Sequence, residues 1–203
     1  IITNIIALIL ALGLNSKIKA KSTLRGIYFV PRILGGLVVG YIFGYIFTYI
    51  LPAVTSTSSM LSSTNTAWIA IVIVASWQAI AQTTLIYISG LQTVPEDVYE
   101  AGAIDGATGW KSFKSLTLPL IIPFLSINMV LSMKDFLMVF DQIMALTKGG
   151  PAQSTESISY LIYQNGMSGG QFGFQSANAV VFFIVIVIIS VAQMSITGKK
   201  EEQ

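Results

Sequence analysis

The sequence predicts an all-α polytopic membrane protein with about five spans present. Three observations carry that fold class. Hydrophobic residues make up 54% of the 203 residues and charged residues only 10%, with a mean hydropathy of +0.75, a balance that soluble domains do not show. The apolar residues come in blocks approaching the ~20 residues that cross a hydrocarbon core of roughly 30 Å. When the blocks alternate across a bilayer, Lys17, Lys19, Lys21, Arg25, Lys111, Lys114, Lys199 and Lys200 fall on one side and only Lys148 falls clearly on the other, so the positive-inside rule makes the first side cytoplasmic.

Residues 1–14 are apolar but rise only about 21 Å as a helix, short of a crossing. They read as the end of a span whose start is missing, with at least one further span expected before it. A cleaved signal peptide would need a basic segment ahead of Ile1. Residues 15–25, holding Lys17, Lys19, Lys21 and Arg25, form a short cytoplasmic loop. A second span is expected over 27–51. Its Gly36, Gly40 and Gly44 recur every four residues, a face on which another helix can approach closely, with a hinge as the alternative. Residues 52–66 are uncharged and rich in Ser and Thr, as an outer loop would be.

The third span covers 67–89 and contains Trp77, Gln78 and Gln82. Amides in lipid need partners, so Gln78 and Gln82 face the bundle interior, either as interhelical ties or as solute contacts. The fourth span, 116–140, carries Pro119 and Pro123 near its inner end, where bending is expected. Asn128, Ser132 and Asp135 share one of its faces. A charge near the bilayer centre costs on the order of 2.5–3.5 kcal/mol. Lys134 can snorkel outward, whereas Asp135 suits a water-filled cavity or pairing with a neighbouring helix. Residues 141–176 form a second outer segment, with a tight turn at Gly149-Gly150-Pro151 and a short helix from Ser154 through Gln164 whose Ile158, Leu161 and Ile162 give it an apolar underside. The last span, 177–196, contains Asn178 and ends before the 199–203 tail.

The polar passage 90–119, GLQTVPEDVYEAGAIDGATGWKSFKSLTLP, separates the third and fourth spans. Thr93 and Glu96 stand at capping-box spacing, and Pro95 falls in the first turn of the helix that follows. Glu96 and Asp97 lie at the positive end of its dipole. Val94, Val98, Ala101 and Ile104 recur at helical spacing as a narrow apolar stripe. Asp105-Gly106 stops that helix, and a second short helix starting near Thr108 carries Lys111 and Lys114 towards its end. The passage reads as a helix, a turn and a helix held at the cytoplasmic membrane surface.

Glu100-Ala101-Gly102, Asp105-Gly106-Ala107 and Leu116-Thr117-Leu118-Pro119, in that order, resemble the EAA signature of permease subunits in binding-protein-dependent ABC importers. That family's pattern is roughly E-A-A, a Gly four residues on, and I-x-L-P about ten further. Gly102 stands where the family has Ala and Leu116 where it has Ile. Trp77-Gln78, Gly90-Leu91-Gln92 and Leu146-Thr147-Lys148-Gly149-Gly150-Pro151 resemble the carbohydrate-type branch, so the likeness runs from about residue 77 to 193. It implies the ABC importer type I transmembrane-domain fold over 1–198, truncated at the N-terminus, in the bacterial plasma (inner) membrane. It implies that Glu100, Ala101, Gly102, Asp105 and Gly106 couple the loop to an ATP-binding subunit. It further implies a second permease subunit, giving a hetero-dimer, and an extracytoplasmic solute-binding protein. Gln78, Gln82, Asn128, Ser132, Asp135 and Asn178 are the in-span polar residues expected along a path for a sugar or oligosaccharide. Glycerol phosphate or another polar solute is the alternative, and no arginine cluster favours a phosphate ester.

Other classes fit less well. There is no His and no Cys, which removes the usual general base, thiolate metal sites and disulfides. No Walker motif or phosphate loop is present, so ATP hydrolysis belongs to a partner, and no cofactor is expected. A membrane-embedded enzyme would have to rely on Asp135 with Asp141, on poorly matched faces of one helix. A channel or membrane scaffold would not need the polar loop, and a secondary transporter calls for mid-span acids in symmetric halves. The small positive charge and the missing basic-aromatic stripe do not support nucleic-acid binding.

Overall fold

The computed structural model describes residues 1–15 and 21–198, which are mostly helical, with no strand among the described residues. The helices are α1 (Ile2–Asn15), α2 (Lys21–Ile33), α3 (Gly36–Tyr45), α4 (Leu51–Thr55), α5 (Thr64–Thr93), α6 (Glu96–Ile104), α7 (Trp110–Ser112), α8 (Leu118–Leu137), α9 (Asp141–Leu146), α10 (Ile158–Tyr163) and α11 (Phe172–Gly198). π turns at Ile46–Ile50 and Phe113–Thr117 join α3 to α4 and α7 to α8 without a break. Lys17, Lys19, Lys199, Lys200 and the 199–203 tail lie outside the described residues.

Among the described residues, four stretches are long and apolar enough to cross a membrane: Gly36–Thr55, Thr64–Thr93, Trp110–Leu146 and Phe172–Thr197. The Ile2–Asn15 helix is apolar but shorter. These four and the shorter apolar helix agree with the expected number, but the second span sits elsewhere. Its apolar run was expected over 27–51, and the structure divides it at Leu34 and Gly35, starting the span at Gly36. Pro31 and Arg32 fall in the last turn of α2, and Gly35 is extended at φ −57° and ψ 148°. A ring without an N–H, a charge and two glycines in six residues cannot continue one apolar helix.

The chain divides into two compact units, one from the described residues of 1–29, 80–132 and 191–203 and one from 30–79 and 133–190. In the first unit α1 turns its small and polar face inward. Thr3, Asn4, Ala7 and Ala11 are buried while Ile5 and Ile9 point outward, the reverse of a soluble amphipathic helix and the expected pattern for a helix in lipid. Ala7 and Ala11 pack against Tyr87, Ile88, Leu91 and Ile121.

The core of the second unit joins Val39 and Phe47 to Ala70, Ile71, Val74, Ile143, Leu146 and Tyr160. The glycine face of α3 is the packing face that its spacing predicts. A Cβ on Gly40 would overlap the Cβ of Ala145 on α9, and one on Gly36 would lie 2.7 Å from the Cβ of Asp141, whereas one on Gly44 would meet only ordinary contacts from 3.8 Å. Between α9 and α10, the turn around Thr155 is tied down: Thr155 donates to Gly150 O at 2.7 Å, and Tyr160 OH donates to Lys148 O at 2.7 Å. The Trp68 indole N–H donates to Ser154 O.

Candidate functional site

The elbow at 90–119 lies wholly within the first unit. Thr93 does not cap α6: its Oγ1 donates to Gly90 O at 2.8 Å, closing the last turn of α5. Pro95 is the N-cap of α6, with no side-chain bond. The capping box expected from Thr93 and Glu96 is therefore not formed, because α5 extends through Thr93 and uses that hydroxyl itself. The C-terminus of α6 behaves as expected. Ala107 N donates to Gly102 O at 2.8 Å and Gly106 N to Ala103 O at 3.1 Å, with Gly106 at φ +73°, the paired bonds of a Schellman stop.

The apolar stripe expected on α6 is buried only at its start. Val94 and Val98 are half-buried, but Ala101 is exposed and Ile104 is 88% exposed. Gly102 takes the inward place, where a Cβ would overlap Leu116 Cδ1. Tyr99 OH and Thr117 Oγ1, 3.2 Å apart, tie α6 to the π turn. The second short helix does not end after Lys114; it continues from α7 through the π turn into α8 as one run. The π turn carries the chain up to Pro119, which has no N–H to give an α-helical ladder. Glu100, Ala101, Ala103, Ile104 and Asp105 thus face outward, while Gly102 and Gly106 shape the helix beneath them. Trp110, 75% exposed, stacks near Phe113 at 5.2 Å and enlarges that outward surface.

In the second unit a cavity of about 420 Å³ is lined by polar and charged side chains, among them Arg32, Gln78, Lys134, Asp135, Asp141 and Gln142. Lys134 Nζ and Asp135 Oδ1 pair at 3.0 Å, so these two charges bond to each other rather than to a neighbouring helix. At this exposure the pair adds little stability. Asp141 lies against Gly36 at the start of α3, where the helix dipole favours a carboxylate. Asp135 and Asp141 face the same cavity, contrary to the poor match of faces expected for one helix. The chain leaves the helix at 138–140, between the end of α8 and the start of α9. Gln78 is buried and bonded to protein: its Nε2 donates to Pro31 O at 3.3 Å and Leu34 O at 3.4 Å, and its Oε1 accepts from Gln142 Nε2 at 2.6 Å.

The other in-span residues are not gathered at that cavity. Asn128, 1% exposed, donates to Thr83 O at 3.2 Å. Ser132 accepts from Asn4 Nδ2 at 3.0 Å, and Tyr87 OH donates to Asn4 Oδ1 at 3.1 Å. All of these lie inside the first unit. The Oε1 of Gln82 is buried with no hydrogen-bond partner among the described residues, and Asn178 donates to Gln175 Oε1 one turn back on α11 at 3.0 Å. Asn4, Arg32 and Gln142 are polar residues of these clusters that sequence reasoning passed over. Arg32 was legible as a charge inside an apolar run, and Asn4 as an amide in the first apolar helix.

The chain matches the family described as binding-protein-dependent transport system inner membrane component over residues 3–199. It is 41% identical over 204 residues to the multiple sugar-binding transport system permease protein MsmF of Streptococcus mutans, covering 97% of this chain and 70% of that protein. It is 34% identical to a probable starch degradation products transport system permease protein, AmyD, of Thermoanaerobacterium thermosulfurigenes, over 99% of this chain and 71% of that protein. Its fold matches, at a TM-score of 0.81 and 20% identity, a crystal structure of a bacterial ABC transporter that imports the acidic polysaccharide alginate, covering 95% of this chain and 71% of that one. An EAA-type elbow, four membrane-length helices and a family match over nearly the whole chain agree: this protein belongs to the binding-protein-dependent transport system inner membrane components, the multi-pass permease subunits of ABC importers.

Proposed function

We propose that this permease subunit forms part of the translocation path for a sugar or oligosaccharide and is driven by an ATP-binding subunit that grips the 90–119 elbow. In this reading the elbow is cytoplasmic and the membrane is the bacterial plasma membrane. A second permease subunit completes the path, and an extracytoplasmic binding protein delivers the solute. The observation that carries the coupling reading is the outward surface of α6: Glu100, Ala101, Ile104 and Asp105 stand free on a helix whose end is closed by Gly106. Glu100 and Asp105 offer charge-assisted hydrogen bonds, and Ile104 offers apolar area. Gly102 and Gly106 act indirectly, by seating α6 against Leu116 and ending it sharply. Closure of the nucleotide-bound motor would then be passed through the continuous helix from Trp110 to Leu137.

The sugar reading rests on the named relatives and on the chemistry of the cavity. The half-buried Gln142 amide and a balanced set of two cations and two anions suit a neutral, hydroxyl-rich solute. Lys134 is already paired with Asp135, which leaves Arg32 without the companions that a phosphate ester calls for. The test is ATP hydrolysis by the assembled transporter in nanodiscs across a panel of sugars, glycerol phosphate and amino acids. Stimulation by one or more sugars is expected, and stimulation by amino acids alone would refute the reading. Gly106→Asp, made in the same complex, is expected to abolish solute uptake with normal membrane abundance. Full uptake by that variant would refute the coupling role.

A further inference from the structure

The break between α2 and α3 leaves backbone acceptors that a continuous helix would satisfy. Leu34 N still donates to Val30 O, and Gly35 O accepts from Val39 N, both at 3.1 Å. Pro31 O and Leu34 O receive the Nε2 of Gln78 from α5, at 3.3 and 3.4 Å. The other end of the same amide accepts from Gln142 on α9 at 2.6 Å. One buried side chain therefore joins three elements of the second unit at the wall of its polar cavity.

The joint itself is unobstructed. A Cβ on Gly35 would meet nothing within 4 Å, and its φ of −57° is ordinary, so neither crowding nor a left-handed conformation holds it in place. What holds it is the Gln78 amide and the packing of α9 on α3. The two ends of that amide differ. Giving up the Nε2 end would strand the Pro31 and Leu34 carbonyls beside a buried side chain, which is costly. Gln142 is half-buried beside the cavity, so water or a solute hydroxyl can take its place.

We propose that Leu34–Gly35 is a hinge and that the Gln78–Gln142 bond is its latch, with Gln78 a positioning residue that sets the cavity's resting shape without touching the solute. This rests on the reading of the cavity as part of the translocation path. Hydrogen exchange of the assembled transporter in nanodiscs tests it, with and without ATP and a transported sugar. Loss of the latch in Gln142→Leu is expected to speed exchange over residues 30–45 roughly fivefold, the factor that one neutral hydrogen bond contributes, with exchange over 90–119 unchanged. The double variant with Gln78→Leu is expected to exchange no faster there than Gln78→Leu alone. Should Gln78→Leu fail to insert, Gln142→Leu decides by itself. Unchanged exchange at 30–45, independent effects that multiply, or equal loosening of 90–119 would each overturn the latch. If ATP changes nothing in any variant while the Gln142→Leu effect persists, the latch is supported and the coupling reading fails separately.

Discussion

Gly102 and Leu116, the two places where this chain departs from its family's loop pattern, touch each other, and their contact yields a quantitative prediction. Restoring Ala at 102 would add helix propensity of about 0.8–1.0 kcal/mol. The new Cβ would overlap Leu116 Cδ1, and overpacking of a filled site typically costs about 1–3 kcal/mol. The obstructing atom is the tip of a half-buried side chain that can turn aside, which places the cost in the lower part of that range. Gly102→Ala is therefore expected to be neutral to about 1 kcal/mol destabilising. Leu116→Ile in the same chain withdraws one δ-carbon and lets the propensity gain emerge, so the double variant should exceed the single by about 1–2 kcal/mol. Thermal unfolding of the purified transporter reads this as a difference of a few degrees. The compensation argument fails if Gly102→Ala alone melts above the parent, or if the double variant melts no higher than the single one.

The contact between α3 and α9 predicts that Gly40→Ala, which drives a Cβ into that of Ala145, lowers stability by about 1–3 kcal/mol. Gly44→Ala, with its nearest neighbour at 3.8 Å, should leave the melting temperature within a degree or two of the parent. Asn4→Ala removes the partner of both Tyr87 and Ser132 and should cost about 1–3 kcal/mol; the same loss measured in Asn4→Ala/Ser132→Ala would place the effect in one network. The Tyr160 hydroxyl, on α10 and outside the four membrane-length stretches, is pushed above its ordinary value of 10.0 by burial first and then by Glu156 and Tyr163. The folded state holds that proton more tightly than the unfolded chain does. The stability it contributes is intact below pH 10 and drains away as pH rises further, so a Tyr160→Phe variant should lose less stability than the parent between pH 10 and 11.

Much of the fold was legible because lipid imposes simple rules. Apolar blocks of crossing length and the spacing of Gly36, Gly40 and Gly44 identified spans and a packing face before any contact was known. The Asp105-Gly106 stop was readable for a similar reason, since a left-handed residue favours glycine. What failed were inferences that needed to know where a neighbouring helix ends. Thr93 stands at capping-box spacing from Glu96, yet α5 runs long enough to use its hydroxyl. Ile104 keeps helical spacing with Val98 and Ala101, yet α6 turns Gly102 towards Leu116 and leaves Ile104 exposed. Asp135 and Asp141 were placed on different faces of one helix, and the interruption at 138–140 brings both to one cavity.

Local chemistry along the chain was enough to determine the membrane class, the approximate number of apolar helices and the glycine stop of α6, since each depends on burial preference and backbone conformation within a turn or two. The assignment of in-span polar residues was decided only by tertiary packing. Gln78, Asn128 and Ser132 read alike as amides and hydroxyls in apolar helices, but a buried polar group must bond to whatever lies within 3.5 Å. Those neighbours, Gln142, Thr83 and Asn4, are 64, 45 and 128 residues away along the chain. No periodicity within a single helix carries information across that separation.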